Sequence, residues 1–455
     1  MRKLHKFLRG RLFPCALLAL GIVLAGVLLA IRLPRALAPI ALVERFFSLI
    51  VAVIVAADAQ PKEYALSKLV LVILLPWTGA IICLLSRRPA REGQKTRVPC
   101  TASTLRYFAV GGEMRAPFLA DIRAAKKFVW LQYYIIAPGA FWNDALKELE
   151  KRAAAGVDVR VLYDDFGCSL TLPRSFEKEL ARRGIRACGI RKVRAALSAG
   201  RRDHRKLAVI DAEIAYTGGI NLADEYTGEK VRFGHWKDTA LRLTGEAAFH
   251  FAELFSQTWN EARPADTVPP FSVKKTSGAP CEVIADSAER TRLRMGPHLL
   301  CELVSSCRER IYLTTPYLAP DAPLLHALKG AALAGKDVRV MIPHLPDKKM
   351  PFLVTRAYAR ELLRAGVKVR EYTAGFLHAK NVVADGETVF ISSYNLDFRS
   401  MYQQAECGAL VTDMGTAKCV ECDFLSCFEQ GSEVKKASFP VRFFSAVLRL
   451  FAPLM

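Results

Sequence analysis

Histidine is scarce in this chain: there are eight among 455 residues, so any two that recur in one frame carry information. Cysteine is not scarce, but paired spacing is. Of twelve cysteines only Cys419 and Cys422 form a CxxC, followed by Cys427, with no second pair and no histidine nearby. A structural zinc site needs four such ligands, so metal binding is disfavoured there and core cysteines on a helix are the simpler reading. Cysteines scattered through so long a chain also argue against a small disulfide scaffold and fit a reducing compartment. Acidic residues fall short as well, 44 against 65 lysines and arginines, a formal net charge of +21. That excess points to an anionic partner, either nucleic acid or acidic lipid. With 52% hydrophobic and 24% charged residues, disorder is excluded. At roughly 150 residues per domain, the length predicts two or three units.

Charge is missing altogether from two long runs near the start. Phe13 to Ile31 is uncharged and close to the ~20 residues that cross a hydrocarbon core. It reads poorly as a cleaved signal, because Arg32 and Arg35 follow without a small-residue cleavage site. Leu69 to Ser86 is also uncharged and is interrupted only by Pro76, which membrane helices tolerate. Between them, Phe46 to Ala57 is apolar but shorter, with Glu44 and Arg45 just ahead; a third span, a re-entrant piece or an interfacial segment all remain open. Basic residues flank both ends, Arg2 to Arg11 before the first run and Arg87 to Arg97 after the last. The positive-inside rule then puts both ends in the cytoplasm and requires an even number of spans. Residues 1–100 are expected to be a two-span anchor in the cell membrane, with the rest of the chain on its cytoplasmic face.

From about residue 104 the pattern is written twice. A strand, Phe128 to Tyr134, is answered by Ile311 to Tyr317, and a helix rich in Ala, Leu, Lys and Glu follows each, near 143–155 and 322–334. Each helix ends at a glycine that opens a similar strand, Gly156-Val-Asp-Val-Arg-Val161 and Gly335-Lys-Asp-Val-Arg-Val340. Glycine just past a helix is a C-cap signal and Val-x-Val a strand signal. Strand–helix–strand–helix order predicts an α/β fold with mostly parallel sheets. The expected domains are 101–265 and 281–440, related by a pseudo-twofold. The proline-rich stretch from Arg263 to Pro280 reads as the linker between them.

Two histidines stand in the same frame of the two copies. Asp203-His204-Arg205-Lys206 leads to Asp211, and Leu377-His378-Ala379-Lys380 leads to Asp385, both with the spacing His-x-Lys-x4-Asp. On a strand, residues two apart share a face, so imidazole and ammonium can address one group. Each motif runs on through a strand to an asparagine, in Tyr216-Thr-Gly-Gly-Ile-Asn221 and Phe390-Ile-Ser-Ser-Tyr-Asn395. If the halves meet face to face, one site gathers two His, two Lys and two Asn. Lysines repel a cation and suit an anion, and phosphate fits best. A single such motif would be weak evidence, since a strand histidine is more often structural; duplication within a repeat strengthens it. Asp211 and Asp385 complete the motif and so count among the candidate catalytic residues. Each precedes Ala-Glu or Gly-Glu, however, where starting a turn is the more favoured role. His235 has no second copy and reads as structural or surrounding. The basic cluster of Arg191, Lys192, Arg194, Arg201 and Arg202 would meet anionic lipid if it is more than a solvated face.

These paired motifs resemble the phospholipase D superfamily, and more narrowly its bacterial cardiolipin synthases. The resemblance extends to Leu74-Leu-Pro-Trp-Thr-Gly79 in the anchor, to Tyr133-Tyr-Ile-Ile136, to Gly218 through Tyr226, and to His235-Trp-Lys-Asp238. In the second half it takes in Thr315-Pro-Tyr-Leu-Ala-Pro-Asp321 and Asn395-Leu-Asp-Phe-Arg-Ser400. Departures are Ser392-Ser393 in place of Gly-Thr or Gly-Ser, Gln404 in place of Asn, and Asp286-Ser287-Ala288 in place of Gly-Pro. The resemblance implies a phosphatidyltransferase with no metal or other cofactor, acting on anionic phospholipids at a membrane. Phosphatidylglycerol would be the substrate and cardiolipin the product. It implies that His204 attacks phosphorus to give a phosphatidyl-histidine, and that protonated His378 serves the departing glycerol oxygen and then the incoming hydroxyl. Lys206, Lys380, Asn221 and Asn395 would neutralise the phosphate oxygens. The acidic residue that supports each histidine would stand one strand later; aligning the repeats gives Asp238 and Glu406. Arg399 and Ser400 are further candidates for the lipid headgroup. Hydrolysis of phospholipid and transfer to another alcohol remain alternatives, as does a nuclease, although membrane runs and full duplication speak against the last.

The chain closes on Val441 to Phe451, where apolar residues recur three and four apart with arginines at 442 and 449. This predicts a short amphipathic helix that either packs on the catalytic part or lies in a membrane interface.

Overall fold

A computed structural model describes residues 38–56, 62–86, 96–191, 201–272, 276–287 and 294–454. The chain divides into two compact units, Met1–Arg88 with Val193–Ala199, and Pro89–Lys192 with Gly200–Met455. The described part of the first unit is three helices, Ala38–Ala56, Lys62–Leu74 and Pro76–Ser86. The expected span from Leu69 to Ser86 is thus divided at Leu75, where Pro76 can start a helix but cannot continue one. Gly79 lets the two pieces fold closely, because a Cβ there would meet the Leu71 carbonyl oxygen at 2.4 Å. Val51, Val55, Val72 and Cys83 form a small core, with Phe47 stacked on Trp77 at 5.2 Å. Other apolar side chains of this unit face outward, among them Phe46, Leu49, Val53, Ile73 and Ile81. Among the described residues no helix is long and apolar enough to cross a membrane; the run Phe13 to Ile31 and the basic flank 87–95 lie outside them.

The second unit contains two sheets built on one plan. The first half orders its seven strands as 105–108, 240–244, 214–218, 206–210, 128–133, 158–164 and 186–190. The second half repeats that order as 279–286, 406–412, 388–392, 381–384, 310–314, 337–343 and 368–372, and adds Thr96–Ala102 at one edge and Ser432–Glu433 at the other. The duplication is therefore real, but the sheets are mixed rather than mostly parallel. Among the described residues, each of these two sheets has only two parallel pairings, those made through strand–helix–strand units. The motif strands turn back through short hairpins, which can give only antiparallel neighbours. The edge strand Thr96–Ala102 also moves a boundary: it pairs along its length with Ala279–Asp286, so it belongs to this unit and not to an anchor ending at residue 100.

Strand Phe128–Tyr133 shows how the layers arise. It is buried on both faces, so its sequence is a continuous apolar run with one glutamine. Phe128 and Trp130 face the central core, and Val129, Leu131 and Tyr133 face the outer core, under helices Gly111–Ala124 and Ala140–Ala154. The central core continues through Phe255 and Trp259 of helix Glu246–Ala262 to Val383, Ile391 and Phe424 of the second half. The halves thus share one apolar interior, worth roughly 1.5–3 kcal/mol per large side chain buried. Cys419 and Cys422 lie on helix Met414–Glu429 as expected, but both are exposed rather than in the core. The linker between the halves is pinned: Arg160 donates to the carbonyls of Asp266 and Thr267 at 2.9 and 3.2 Å.

Asp211 and Asp385 occupy the same place in the two halves. Each opens a three-residue hairpin loop with a positive φ, +56° and +54°, a region that Asp adopts more readily than most residues. Asp211 accepts backbone N–H bonds from Lys126, Lys127 and Phe128 at 2.7–2.8 Å. Asp385 accepts from Arg308, Glu309 and Arg310 at 2.8–3.0 Å. These contacts clamp the motif hairpin to the start of the neighbouring strand and hold the Asp385 carboxyl below the usual range. Asp385→Ala is expected to cost about 1–3 kcal/mol and to lower the melting temperature, while kcat of the folded fraction stays near that of the parent. Loss of kcat at unchanged melting temperature would return Asp385 to the catalytic set.

Candidate active site

His204 and His378 each stand just ahead of a motif strand, on extended segments that cross to the other half. The His204 N–H donates to the Ala405 carbonyl at 2.8 Å, and the His378 N–H to the Lys237 carbonyl at 2.7 Å. The expectation that His and Lys share the face of one regular strand is thus modified: the strand begins at Lys206 in one half and after Lys380 in the other. Each ammonium instead folds back on the carbonyl of its own histidine, Lys206 on His204 at 2.5 Å and Lys380 on His378. His204, Lys206, His378 and Lys380 are all buried.

The carboxylates reach across the seam. Asp238 and Glu406 follow their own half's motif in the order expected, but each holds the histidine of the opposite half. His204 Nδ1 lies 2.9 and 3.0 Å from the two oxygens of Glu406, and His378 Nδ1 lies 2.5 Å from Asp238 Oδ2. A repeat read in isolation would pair them within a half; the crossing comes from the segments that bring each histidine beside the other half's last site strand. Lys380 Nζ is also 2.9 Å from His378 Nδ1. One ring nitrogen cannot donate to a carboxylate and accept from an ammonium at once, and the shorter carboxylate contact takes precedence. Both rings then carry Nδ1–H toward a carboxylate and keep the Nε2 lone pair for chemistry.

Near the carboxylates the halves differ. Ser393 donates to Glu406 at 2.5 Å and Ser400 donates to its other oxygen, whereas the position equivalent to Ser393 is Gly219, where a Cβ would sit 2.0 Å from Asp238 Oδ1. The unusual Ser392 is accommodated by its cross-strand partner Gly408, where a Cβ would meet the Ser392 Cβ at 2.4 Å. In the first half the glycine is on the other strand, Gly218 opposite Ala240. The asparagines differ too. Asn221 accepts from the Ile135 N–H at 3.0 Å and donates to the Tyr226 hydroxyl at 2.8 Å, so its amide positions a loop and a ring rather than standing ready for phosphate. Asn395 Oδ1 is buried and, among the described residues, without a hydrogen-bond partner. His378 is boxed by Tyr226, Trp236 and Phe376 at 5.5–6.0 Å, and His204 lies against Tyr134 at 4.9 Å.

Position sorts the remaining candidates. Asp211 and Asp385 lie at the far ends of the motif strands, about 16 Å from the lysines at strand rise, and their carboxylates are taken up by backbone. His235 bonds Tyr372 at 2.6 Å on the short strand that joins the halves, a structural role. Arg202 is buried, donating to the Arg191 carbonyl at 2.8 Å beside Asp164, so it faces no lipid; Lys192 and Arg194 are outside the described residues. Ser393 and Ser400 bond Glu406 and the Tyr226 ring walls His378, roles that leave no spacing signature in the sequence. Among the described residues no group of three metal-ligating side chains converges.

Burial dominates the electrostatics. It holds His204 well below the ordinary imidazole range, reinforced by Lys206, Lys380, Arg399 and Lys348. It lowers His378 to about 4, with Lys380 adding to the fall and Asp238 opposing it. Burial also lowers Lys206 to about 7 and Lys380 to about 8, against the pull of Glu406 and Asp238, and raises Glu406 to about 7. Lys206, Lys380, Arg399 and Lys348 gather around His204, so the site suits an anion. Because the free-enzyme lysines are depressed, their charge is present at low pH and is lost as pH rises through about 7 and then 8. The kcat/KM, which reports the free enzyme, is expected to fall through that window. In Lys380→Arg, whose charge persists, the step near 8 should disappear while the fall through about 7 that belongs to Lys206 remains, even if the overall rate is lower; an unchanged step near 8 would assign it to another group.

The sequence profile described as "Cardiolipin synthase, PLD-like domain" matches residues 118–259 and 300–428, one stretch in each half. A cardiolipin synthase of Listeria welshimeri is 34% identical over 363 residues, 76% of this chain and 74% of the relative. One of Staphylococcus aureus is 32% identical over 383 residues, 78% of this chain and 74% of the relative. Among solved structures, the phosphatidylserine synthase of Haemophilus influenzae Rd KW20 superposes with a TM-score of 0.61 at 14% identity, over 79% of this chain and 97% of that one. That likeness is one of fold.

Proposed function

Since the chain belongs to the phospholipase D superfamily, in its cardiolipin synthase branch, and is a phosphatidyltransferase, we propose that it joins two phosphatidylglycerols to give cardiolipin and glycerol. The observation that carries the mechanism is the crossed pair of dyads: two imidazoles from opposite halves, each fixed in the same tautomer by a buried carboxylate. His204 Nε2 attacks the phosphorus of the first lipid; a P–N bond forms and the P–O bond to glycerol breaks. His378, protonated once the anion is bound, gives its proton to the departing glycerol oxygen. The terminal hydroxyl of a second phosphatidylglycerol then returns a proton to His378 and attacks phosphorus, so that a P–O bond forms and His204 leaves unchanged. Lys206 and Lys380 neutralise the non-bridging oxygens, whose charge grows in the transition state, and the Asn395 Nδ2–H donates to one of them.

The assignment of nucleophile and acid–base residue is supported by the asymmetry of the dyads. Burial first, and four cations next, hold His204 neutral with no carboxylate among the leading influences, as suits a nucleophile. His378 has Asp238 at 2.5 Å to favour its charged form. His204→Ala should lower lipid transfer by about 10³-fold or more and abolish any phospholipid–enzyme adduct. His378→Ala should stop turnover yet still allow slow adduct formation from a lipid with an activated leaving group. An adduct on His378 would reverse the roles. Mass spectrometry of the lipids made by the purified protein tests the acceptor: cardiolipin supports the reading, phosphatidic acid alone would make it a hydrolase, and a different phospholipid would name another alcohol.

We place the protein at the cell membrane with the catalytic unit on the cytoplasmic face. Outward apolar side chains in the first unit, the uncharged run Phe13 to Ile31 and the basic flanks on either side support this. Cys419 and Cys422 are exposed, so a membrane-impermeant thiol reagent added to intact cells should label neither until the membrane is opened. Labelling from outside would put the catalytic unit on the other face.

A further inference from the structure

Helix Phe439–Leu450 packs the opposite way from a helix that serves a core. Its inward contacts are made by Ser445, Leu448 and Arg449. Ser445 is buried with its hydroxyl on the Val441 carbonyl at 2.7 Å. Arg449 pairs with Glu361 of helix Lys349–Arg364 at 2.6 Å and lies 4.1 Å over the Tyr358 ring. The large apolar side chains point to solvent: Phe439 is 76% exposed, Phe443 64% and Phe444 49%, with Val441, Val447 and Leu450 also open. Core helices bury that face; here Ser445, Leu448 and Arg449 hold the protein and the phenylalanines are left outside.

Positive charge gathers around the same surface. Lys435 and Lys436 precede the helix and Arg442 lies on it. Arg356, Arg364 and Arg442 crowd Arg360, whose guanidinium is held below the ordinary arginine range by burial first and by those neighbours next. Glu371, the acid that opposes them, is already taken by Arg356 at 2.6 Å and His344 at 2.8 Å. An exposed aromatic strip beside uncompensated cations is the chemistry of an anionic lipid surface: rings enter the acyl boundary while arginine and lysine meet phosphates.

We propose that residues 435–454 form a membrane-docking surface, with helix Phe439–Leu450 lying in the headgroup layer of an anionic bilayer through Phe439, Phe443, Phe444 and Arg442. The choice of lipid over another apolar partner rests on the phosphatidyl-transfer reading; the outward face itself does not. Docking there brings the catalytic unit to lipid by a contact separate from the first unit.

The test uses the full chain and Phe443→Trp, compared with the parent and its five tryptophans, in vesicles of phosphatidylcholine and phosphatidylglycerol with or without brominated acyl chains. The added emission should be quenched at least about twofold by the brominated lipid. Phe439→Ser with Phe443→Ser and Phe444→Ser should keep the melting temperature while slowing turnover of vesicle lipid and sparing a monomeric short-chain phosphatidylglycerol. Unquenched added emission would overturn the proposal, as would a blue shift that depends on protein concentration without lipid, which would mean a second copy covers the face. A large fall in melting temperature would mean the rings pack on the protein. Quenching needs no turnover, so intact quenching with no lipid transfer would instead overturn the catalytic reading.

Discussion

Two carboxylates that cross the seam between the halves hold the site together. Asp238 belongs to the first half and fixes His378; Glu406 belongs to the second and fixes His204. Neither half therefore contains a complete dyad, and each histidine has a usable tautomer only when its partner half is docked. The rest of the interface serves that docking. Backbone bonds from His204 to Ala405 and from His378 to Lys237 set the approach, and the Lys237–Asp423 pair at 2.6 Å with Tyr107 on the same carboxylate locks it. The shared apolar core supplies most of the cohesion. The polar contacts supply alignment, which must hold within a few tenths of an ångström if both rings are to serve one phosphorus atom.

A twofold arrangement of identical dyads would give two equivalent histidines, whereas displacement at phosphorus needs one neutral nucleophile and one proton carrier. The chain breaks the symmetry with small side chains. Gly219 lets Asp238 close on His378, while Ser393 and Ser400 occupy Glu406 with hydroxyl donors that divide its charge. Asn221 is spent on Tyr226 and the Ile135 backbone, and the Tyr226 so held forms one wall of the box around His378. The same fold therefore surrounds the two rings differently without changing the motif that carries them.

What could be read from the sequence follows from what repetition and periodicity record. The duplicated strands, the glycine after each helix, the histidine–lysine frame and the two later carboxylates all leave spacing signals, and each recurs in the structure. Sheet direction was misjudged because strand–helix–strand units were counted and the hairpins at Asp211 and Asp385 were not. Those aspartates complete a motif by spacing, yet the Ala-Glu and Gly-Glu after them already favour a turn; which backbone N–H groups they hold is set by the neighbouring strand. The crossing of the dyads could not be read within either repeat, since partner choice depends on how two copies dock. The exposure of Cys419 and Cys422 was missed for a related reason: a helical pattern fixes which residues share a face but not which face meets the core.

Burying two lysines, two histidines and two carboxylates together is costly, several kcal/mol for each charge left incompletely paired. Burial lowers both lysines toward neutrality and raises Glu406, which lessens that cost. On the proposed reaction, a phosphodiester anion would reverse the balance by drawing charge back onto the lysines and allowing one imidazole to protonate. On that reading, binding of the lipid phosphate and creation of the general acid would then be one event. The aromatic walls around His378 press in the same direction. An alcohol arriving on a lipid brings its own apolar body to such a pocket and is favoured there over free water, which the walls leave poorly solvated. On the proposed reaction, transfer prevails over hydrolysis because of how dry the second histidine is kept, with the two chemistries otherwise sharing every catalytic group.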